Sequence, residues 1–321
     1  MKTLLFAAML AAGSSFAQSP INWKLATGYR TESFHTQNIA QFAREVGMAS
    51  GGQLTIEVMP NGTLAKLADI SQAVRDGKAQ AGETIMTSLV KDIPIAGADS
   101  VPFVVSSYSD AQRLWKLQRP GIEKHFAERG LKLLYAVPWP PQGLHSSKPI
   151  RSLADFKGTQ MRTYNSTTQR IAELLSAKPV DVPMVDVGKA LAEGRMDNMI
   201  TSALTGVENK VWGQIKYYYE INAWFPKNVV FVNSKSFDAL KPEVRSAVVK
   251  AAGDAETRGW ATSQALASSA TEELRANGVK IERIPPDVDA EIKRMGEKFS
   301  REWVRSVGNE ANTIFVPYYI K

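Results

Sequence analysis

Two α/β lobes facing each other across a cleft are what this sequence predicts, on three observations. Strand and helix patterns alternate along most of the chain, which implies mostly parallel strands between covering helices. Two short stretches rich in proline and tryptophan, Trp139-Pro140-Pro141-Gln142-Gly143 and Trp224-Phe225-Pro226, interrupt that rhythm. Proline this dense suits a stiff crossing between domains. Once Met1–Ala17 is set aside as a leader, about 300 residues remain, enough for two domains at ~100–200 residues each. Two crossings make the lobes exchange along the chain. One is expected to take residues 18–138 with about 229–278, the other 139–228 with about 279–321, including a closing helix.

The leader has Lys2 as its positive start, Leu4 to Ala12 as its apolar core, and Ser15-Phe16-Ala17 as a small-x-small site. That order predicts a secretory signal peptide cleaved after Ala17. The apolar run is too short to span a bilayer, which needs ~20 residues. The chain contains no cysteine, so it has neither a disulfide nor a cysteine to carry a lipid anchor. The expected product is extracytoplasmic, not lipidated, and held together by its core. Its formal charge of +7, from 39 Lys+Arg and 32 Asp+Glu, favours anionic partners only weakly. No block of five like charges argues for nucleic acid, and no later stretch is apolar enough to be membrane-embedded.

Taken in order, Trp23–Thr27 reads as the first strand, and Phe34–Met48 as a helix with its apolar stripe at Ile39, Phe42, Ala43 and Val46. Leu54–Met59 alternates and reads as a strand, Leu67–Asp76 as a helix closed by Gly77. Val101–Val105 is an apolar segment, Asp110–Leu117 a helix, and Leu131–Val137 a strand buried on both faces. After the first crossing come Val180–Val182 as a strand and Val187–Glu193 as a helix ended by Gly194. Met196–Thr201 is strand or loop, and Val211–Tyr219 a helix carrying a tyrosine triplet. After the second come a strand at Val229–Val232, a long helix over Pro242–Asn277, a strand at Val279–Ile284 and a last helix over Asp287–Val307.

The stretch Pro149–Arg162 organises the middle of the chain. Leu153 and Phe156 make a short helical face, Lys157-Gly158 a turn, and Thr159–Arg162 a brief strand with Gln160 and Arg162 on one side. A helix follows, with Ser166 as expected N-cap, Gln169 at its third position, and Ile171, Leu174 and Leu175 as its buried stripe. A guanidinium beside a helix N-terminus suits a small carboxylate: the fork offers two parallel donors and the helix end adds partial positive charge.

Six stretches in one order resemble the extracytoplasmic solute receptors of TRAP transporters, the DctP-type binding proteins. They are the first strand with Ser33-Phe34-His35; Gly51-Gly52 through Pro60-Asn61-Gly62-Thr63-Leu64 to Asp76-Gly77-Lys78; Val101–Val104; Lys148–Arg162; Val187–Asp197; and Asn233–Leu240. The resemblance covers essentially the whole mature chain. It implies a periplasmic binding protein whose two lobes close on a small organic anion and deliver it to TRAP membrane permease subunits. It implies that Arg162 pairs with the ligand carboxylate. A second arginine of many dicarboxylate receptors falls at Gln142, and the residue after the Asp197 motif is Thr201. Both are neutral here, which favours a monocarboxylate over a dicarboxylate, because an unmatched buried cation is costly. Glutamine with arginine also resembles the 2-oxo-acid receptors, but Met199-Ile200-Thr201 lacks the acid those use for a bound cation. No metal and no cofactor are expected.

Other candidates follow from position. Trp139, Trp224 and Phe225 either face the cleft, where they would suit an aromatic or otherwise apolar acid, or pack between hinge and core. Tyr29, Glu83 and Met86 lie in segments that line the cleft in relatives. Asn165 either donates to the ligand or caps the helix; His35 is read as a packing or capping residue. Against an enzyme, the three histidines, His35, His125 and His145, have no metal-ligand spacing. The chain has no cysteine nucleophile, no Gly-x-Ser-x-Gly and no phosphate-cradling glycine loop. An exported hydrolase and a receptor for an ATP-driven importer are the alternatives.

Overall fold

The computed structural model describes residues 20–320, so the expected signal peptide lies outside the described residues. Strand β1 (Ile21–Thr27) leads to helix α1 (Phe34–Ala49), β2 (Leu54–Met59), α2 (Ile70–Arg75), β3 (Ala81–Ile85), α3 (Tyr108–Ala127) and β4 (Leu131–Pro138). Beyond the first crossing come β5 (Gln142–Ser146), β6 (Gln160–Thr163), α4 (Ser166–Leu174), β7 (Lys178–Asp181), α5 (Val187–Ala192), β8 (Asn198–Ser202), α6 (Ala203–Glu208) and β9 (Tyr217–Tyr219). The second crossing delivers β10 (Lys227–Asn233), followed by α7 (Ser234–Asp238), α8 (Pro242–Ala276), β11 (Lys280–Glu282), α9 (Pro286–Val307) and α10 (Asn309–Tyr319).

These strands form two sheets, in the orders β2-β1-β3-β10-β4 and β11-β9-β5-β8-β6-β7. Parallel pairings outnumber antiparallel ones only five to four, with β9 and β11 also parallel, so the expectation of mostly parallel strands holds narrowly and the sheets are mixed. β1 runs parallel to β2 and β3, and β6 to β7 and β8, but β10 is antiparallel to both its neighbours, and so is β5. Those two strands are the ones that the crossings deliver. A chain that enters a sheet from the other lobe, rather than over a covering helix, has no need of the parallel sense that a helical crossover imposes.

The crossings also pair with each other. Trp139 N donates to Pro226 O at 2.8 Å, Ala223 N to Gln142 O at 2.8 Å, and Gln142 N to Trp224 O at 2.9 Å. The two crossings therefore form a short paired ribbon, to which Pro140 and Pro141 contribute no donor. Phe103 N donates to Ala223 O at 2.7 Å, tying a third segment to the same place. On the first-sheet side, Asp99 accepts from Lys227 N at 2.7 Å while its carboxylate stands 3.3 Å from Lys227 Nζ, both side chains fully buried.

Several elements differ from expectation for local reasons. Tyr217–Tyr219 is a strand, not the end of a helix: Tyr217 and Tyr219 stack on one face at 6.4 Å, and Tyr218 packs against His145 on the other. Bulky aromatics favour that pleated alternation over a helix, where χ1 is restricted. The N-cap of α4 is Asn165, not Ser166: Asn165 Oδ1 accepts from Thr168 N at 2.8 Å, and Thr168 Oγ1 accepts in return from Asn165 N. β3, β5 and α10 had no periodic signal strong enough to mark them. Helix α8 covers both sheets, packing Ala252 and Ala255 in the core of the first and Leu274 near the second. Helix α9 likewise puts Val288 and Ile292 in one apolar cluster and Phe299 in another.

Where α8 passes β4, Gly259 leaves no room for a side chain, since an added Cβ would lie 2.3 Å from Val137 Cγ2. Gly259→Ala should push the helix off the strand and destabilise the protein by about 1–3 kcal/mol. Urea unfolding measures it, and an unchanged midpoint would contradict the close packing.

Candidate functional site

A cleft of about 560 Å³ opens between the two sheets beside the hinge. Its size falls within the ~300–1,000 Å³ of small-molecule sites. Tyr29, Lys66 and Ser88 come from the first-sheet side, Trp139 and Pro226 from the crossings, and Gln142, Arg162, Tyr164, Asp181, Asp186 and Thr201 from the second-sheet side.

Arg162 is at the centre. It sits on β6 between β8 and β7, opposite Met199 and Val180, and is only 3% exposed. Its Nε donates to Val182 O at 2.9 Å, and its guanidinium lies 4.7 Å over the Tyr164 ring. Neither terminal nitrogen forms a hydrogen bond or an ion pair among the described residues. Burial pushes its pKa down to about 10, only partly offset by Tyr164, Asp181 and Tyr29. The group stays charged at neutral pH. It presents an oriented two-donor fork, the geometry that binds a carboxylate bidentately.

Gln142 on β5 and Thr201 on β8, two strands paired with each other, line the same cleft as this arginine. Gln142 Nε2 donates to Pro140 O at 2.9 Å, and its Oε1 accepts from the Tyr164 hydroxyl at 3.3 Å. Trp139 lines the cleft with one face while packing against Phe34 and His35, its Nε1 donating to Asn228 Oδ1 at 2.9 Å. Tyr29 also lines it, 5.3 Å from the Trp139 ring.

Five of the sequence candidates lie outside this lining. Asn165 is occupied as the helix cap. Phe225 is buried against Tyr108 at 5.1 Å, and Met86 is fully buried in the core beneath the first sheet. Trp224 turns to the other side of the hinge, where it lines a cavity of about 20 Å³ with Phe103 and Ile292. Glu83 stands behind the cleft wall: Thr27 Oγ1 donates to it at 2.6 Å and Asn228 Nδ2 at 2.9 Å, with His35 Nδ1 3.4 Å away. Tyr164, Asp181 and Asp186 line the cleft without having been singled out. Tyr164 was findable, because two residues beyond Arg162 on a strand lies on the same side. Among the described residues no cluster of His, Asp and Glu could hold a metal ion, and no helix is long and apolar enough to cross a membrane.

Residues 26–306 match the family model of bacterial extracellular solute-binding proteins, family 7, DctP. The chain belongs to that family of TRAP extracytoplasmic solute receptors. It superposes with a TM-score of 0.91 on DctP6 of Bordetella pertussis, an extracytoplasmic solute receptor binding pyroglutamic acid. The two are 35% identical, and the match covers 94% of this chain and 100% of that one. DctP7 of the same organism, also binding pyroglutamic acid, is 36% identical with a TM-score of 0.90, covering 92% of this chain and 99% of that one. The 2,3-diketo-L-gulonate-binding periplasmic protein YiaO of Escherichia coli is 25% identical over 268 residues, 79% of this chain and 80% of its own length.

Glu83 makes the wall behind the cleft sensitive to pH. Burial raises its pKa to about 7, against the opposing pull of the Thr27 and Asn228 hydrogen bonds. The folded state thus holds this proton more tightly than the unfolded chain, whose value is 4.5. Stability from this group is full below about pH 4.5 and is lost as pH rises through about 7. Glu208, raised to about 7 by burial, acts in the same direction. The buried, uncharged His35 and His145 act oppositely, losing stability as pH falls below their ordinary value. The comparison of Glu83→Gln with the parent isolates the first group. From pH 5 to 8 the variant should gain up to about 3 kcal/mol relative to the parent. Chemical denaturation across that range measures it, and a difference that does not vary with pH would refute the assignment.

Proposed function

We propose that this receptor binds a small monocarboxylic acid, pyroglutamate foremost, and hands it to the membrane subunits of a TRAP permease. The observation that carries the reading is Arg162: a buried guanidinium held by one hydrogen bond to Val182 O, with its terminal nitrogens turned to a cleft. The other cation of the lining is Lys66, which is exposed, whereas Asp181 and Asp186 line the same cleft. One deep positive charge matches one carboxylate. A second carboxylate would meet neutral Gln142 and Thr201, or the two aspartates, and would lack a partner once water is excluded. The likeness to two receptors that bind pyroglutamic acid, at 35% and 36% identity, supports the same size and charge of ligand.

In this reading residues 18–138 with about 229–278, and 139–228 with about 279–321, are the two lobes, and the paired crossings are the hinge about which they close. Arg162, Gln142, Thr201, Tyr29 and Trp139 hold the ligand. The Trp139 face accounts for the apolar side of a ring-shaped acid. Delivery to a permease puts the mature protein in the periplasm, reached through the Met1–Ala17 leader.

Arg162→Ala should leave a desolvated carboxylate without its counter-charge. The expected loss is about 3–5 kcal/mol, or about 200- to 5,000-fold in affinity. Titration calorimetry with pyroglutamate, after a thermal-shift screen of organic acids, measures it. A loss below about tenfold, or tighter binding of an uncharged sugar or amide, would count against the reading.

A further inference from the structure

We propose that the cleft selects acids that carry a hydrogen-bond donor beside the carboxylate, because the Tyr29 and Tyr164 hydroxyls are both committed as donors to buried amides and turn only lone pairs to the ligand. The inference rests on the carboxylate reading above and adds what the rest of the ligand must be.

The argument is a count of protons. An indole N–H can only donate, so the Asn228 atom that meets Trp139 Nε1 at 2.9 Å is the carbonyl oxygen. The other end of that amide, Nδ2, donates to Glu83 Oε1 at 2.9 Å, which agrees with the same orientation. Tyr29 therefore approaches an oxygen, Asn228 Oδ1, at 3.3 Å, and can bond to it only by donating its one proton. The second tyrosine repeats the logic. The Pro140 carbonyl can only accept, so the Gln142 atom 2.9 Å from it is Nε2. Oε1 then faces the Tyr164 hydroxyl at 3.3 Å, and Tyr164 must donate. Amide orientation is here dictated by partners with a single possible role.

Both hydroxyls belong to residues that line the cleft with Arg162, whose guanidinium lies 4.7 Å over the Tyr164 ring. A ligand whose carboxylate takes the guanidinium thus meets phenolic lone pairs next to it. An N–H or O–H on the neighbouring atom finds an acceptor there. A ketone or ring oxygen at the same place meets like lone pairs and leaves its own unpaired, which is costly in a site closed to water. The lactam N–H of pyroglutamate meets the requirement; 2-oxo acids do not, whereas 2-hydroxy acids do.

The test compares pyroglutamate with its lactone analogue, in which ring oxygen replaces N–H, and lactate with pyruvate, by calorimetry. The parent protein should bind the lactam about tenfold or more tighter than the lactone, and lactate tighter than pyruvate. In the Tyr29→Phe, Tyr164→Phe double variant, which keeps both rings, the lactam-to-lactone ratio should fall to within about threefold of one. Equal affinities in the parent, which need no substitution to observe, overturn the proposal; so does a ratio that survives in the double variant. Arg162-dependent binding that favours pyruvate or the lactone overturns the proposal and leaves the carboxylate reading standing. Loss of all carboxylate binding overturns both.

Discussion

A guanidinium that is almost wholly removed from water yet keeps its charge is the constraint around which this molecule is built. Desolvation of such an ion costs several kcal/mol. Here the compensation within the protein is slight: one carbonyl from Val182, the face of Tyr164, and the distant field of Asp181. In the proposed reading, an anion brought to the two terminal nitrogens, unpaired among the described residues, completes what the fold leaves unfinished. Under that reading, binding energy and selectivity for negative charge therefore have the same origin. The strand that carries Arg162 is paired on both edges, and the bond from its Nε to Val182 O holds the guanidinium in place.

Around that charge the structure separates rigid from adjustable parts. The Trp139–Asn228–Glu83–His35 group is locked by short hydrogen bonds and aromatic packing, and it backs the first-sheet wall of the cleft. The opposite wall is carried on β5, β6 and β8, which reach the first sheet through the paired crossings. Helices α8 and α9 span both halves and add apolar contact to the join. A ligand held in the cleft as proposed would touch walls carried by both sheets.

Much of this could be read from the chain and some of it could not, for identifiable reasons. Long amphipathic patterns such as Phe34–Ala49 and Pro242–Ala276 marked their helices within a residue or two, since a buried stripe of that length has one periodic solution. β3 stayed hidden although it is central, because Ala81-Gly82-Glu83-Thr84-Ile85 is short, holds a buried carboxylate, and draws its strand character from Ala26, Phe231 and its other neighbours. The tyrosine triplet misled for a related reason: the aromatic run fits either period until its partners β5 and β11 are known. Arg162 was legible through its strand-turn-helix setting. Glu83, Met86, Trp224 and Phe225 were placed near the cleft by position alone, and which way a side chain turns at a hinge depends on packing that only the fold supplies.

The buried Lys227–Asp99 pair anchors the start of β10. One carboxylate grips both the ammonium group and the backbone N–H of the same residue, so sliding β10 out of place would pull opposite charges apart in a medium that screens them poorly. The first-sheet end of that crossing is clamped. At the opposite end Asn222 holds a backbone φ of 44°, in the left-handed region. If the lobes close on a ligand as proposed, the turning point falls beside Asn222, on the second-sheet side of that crossing.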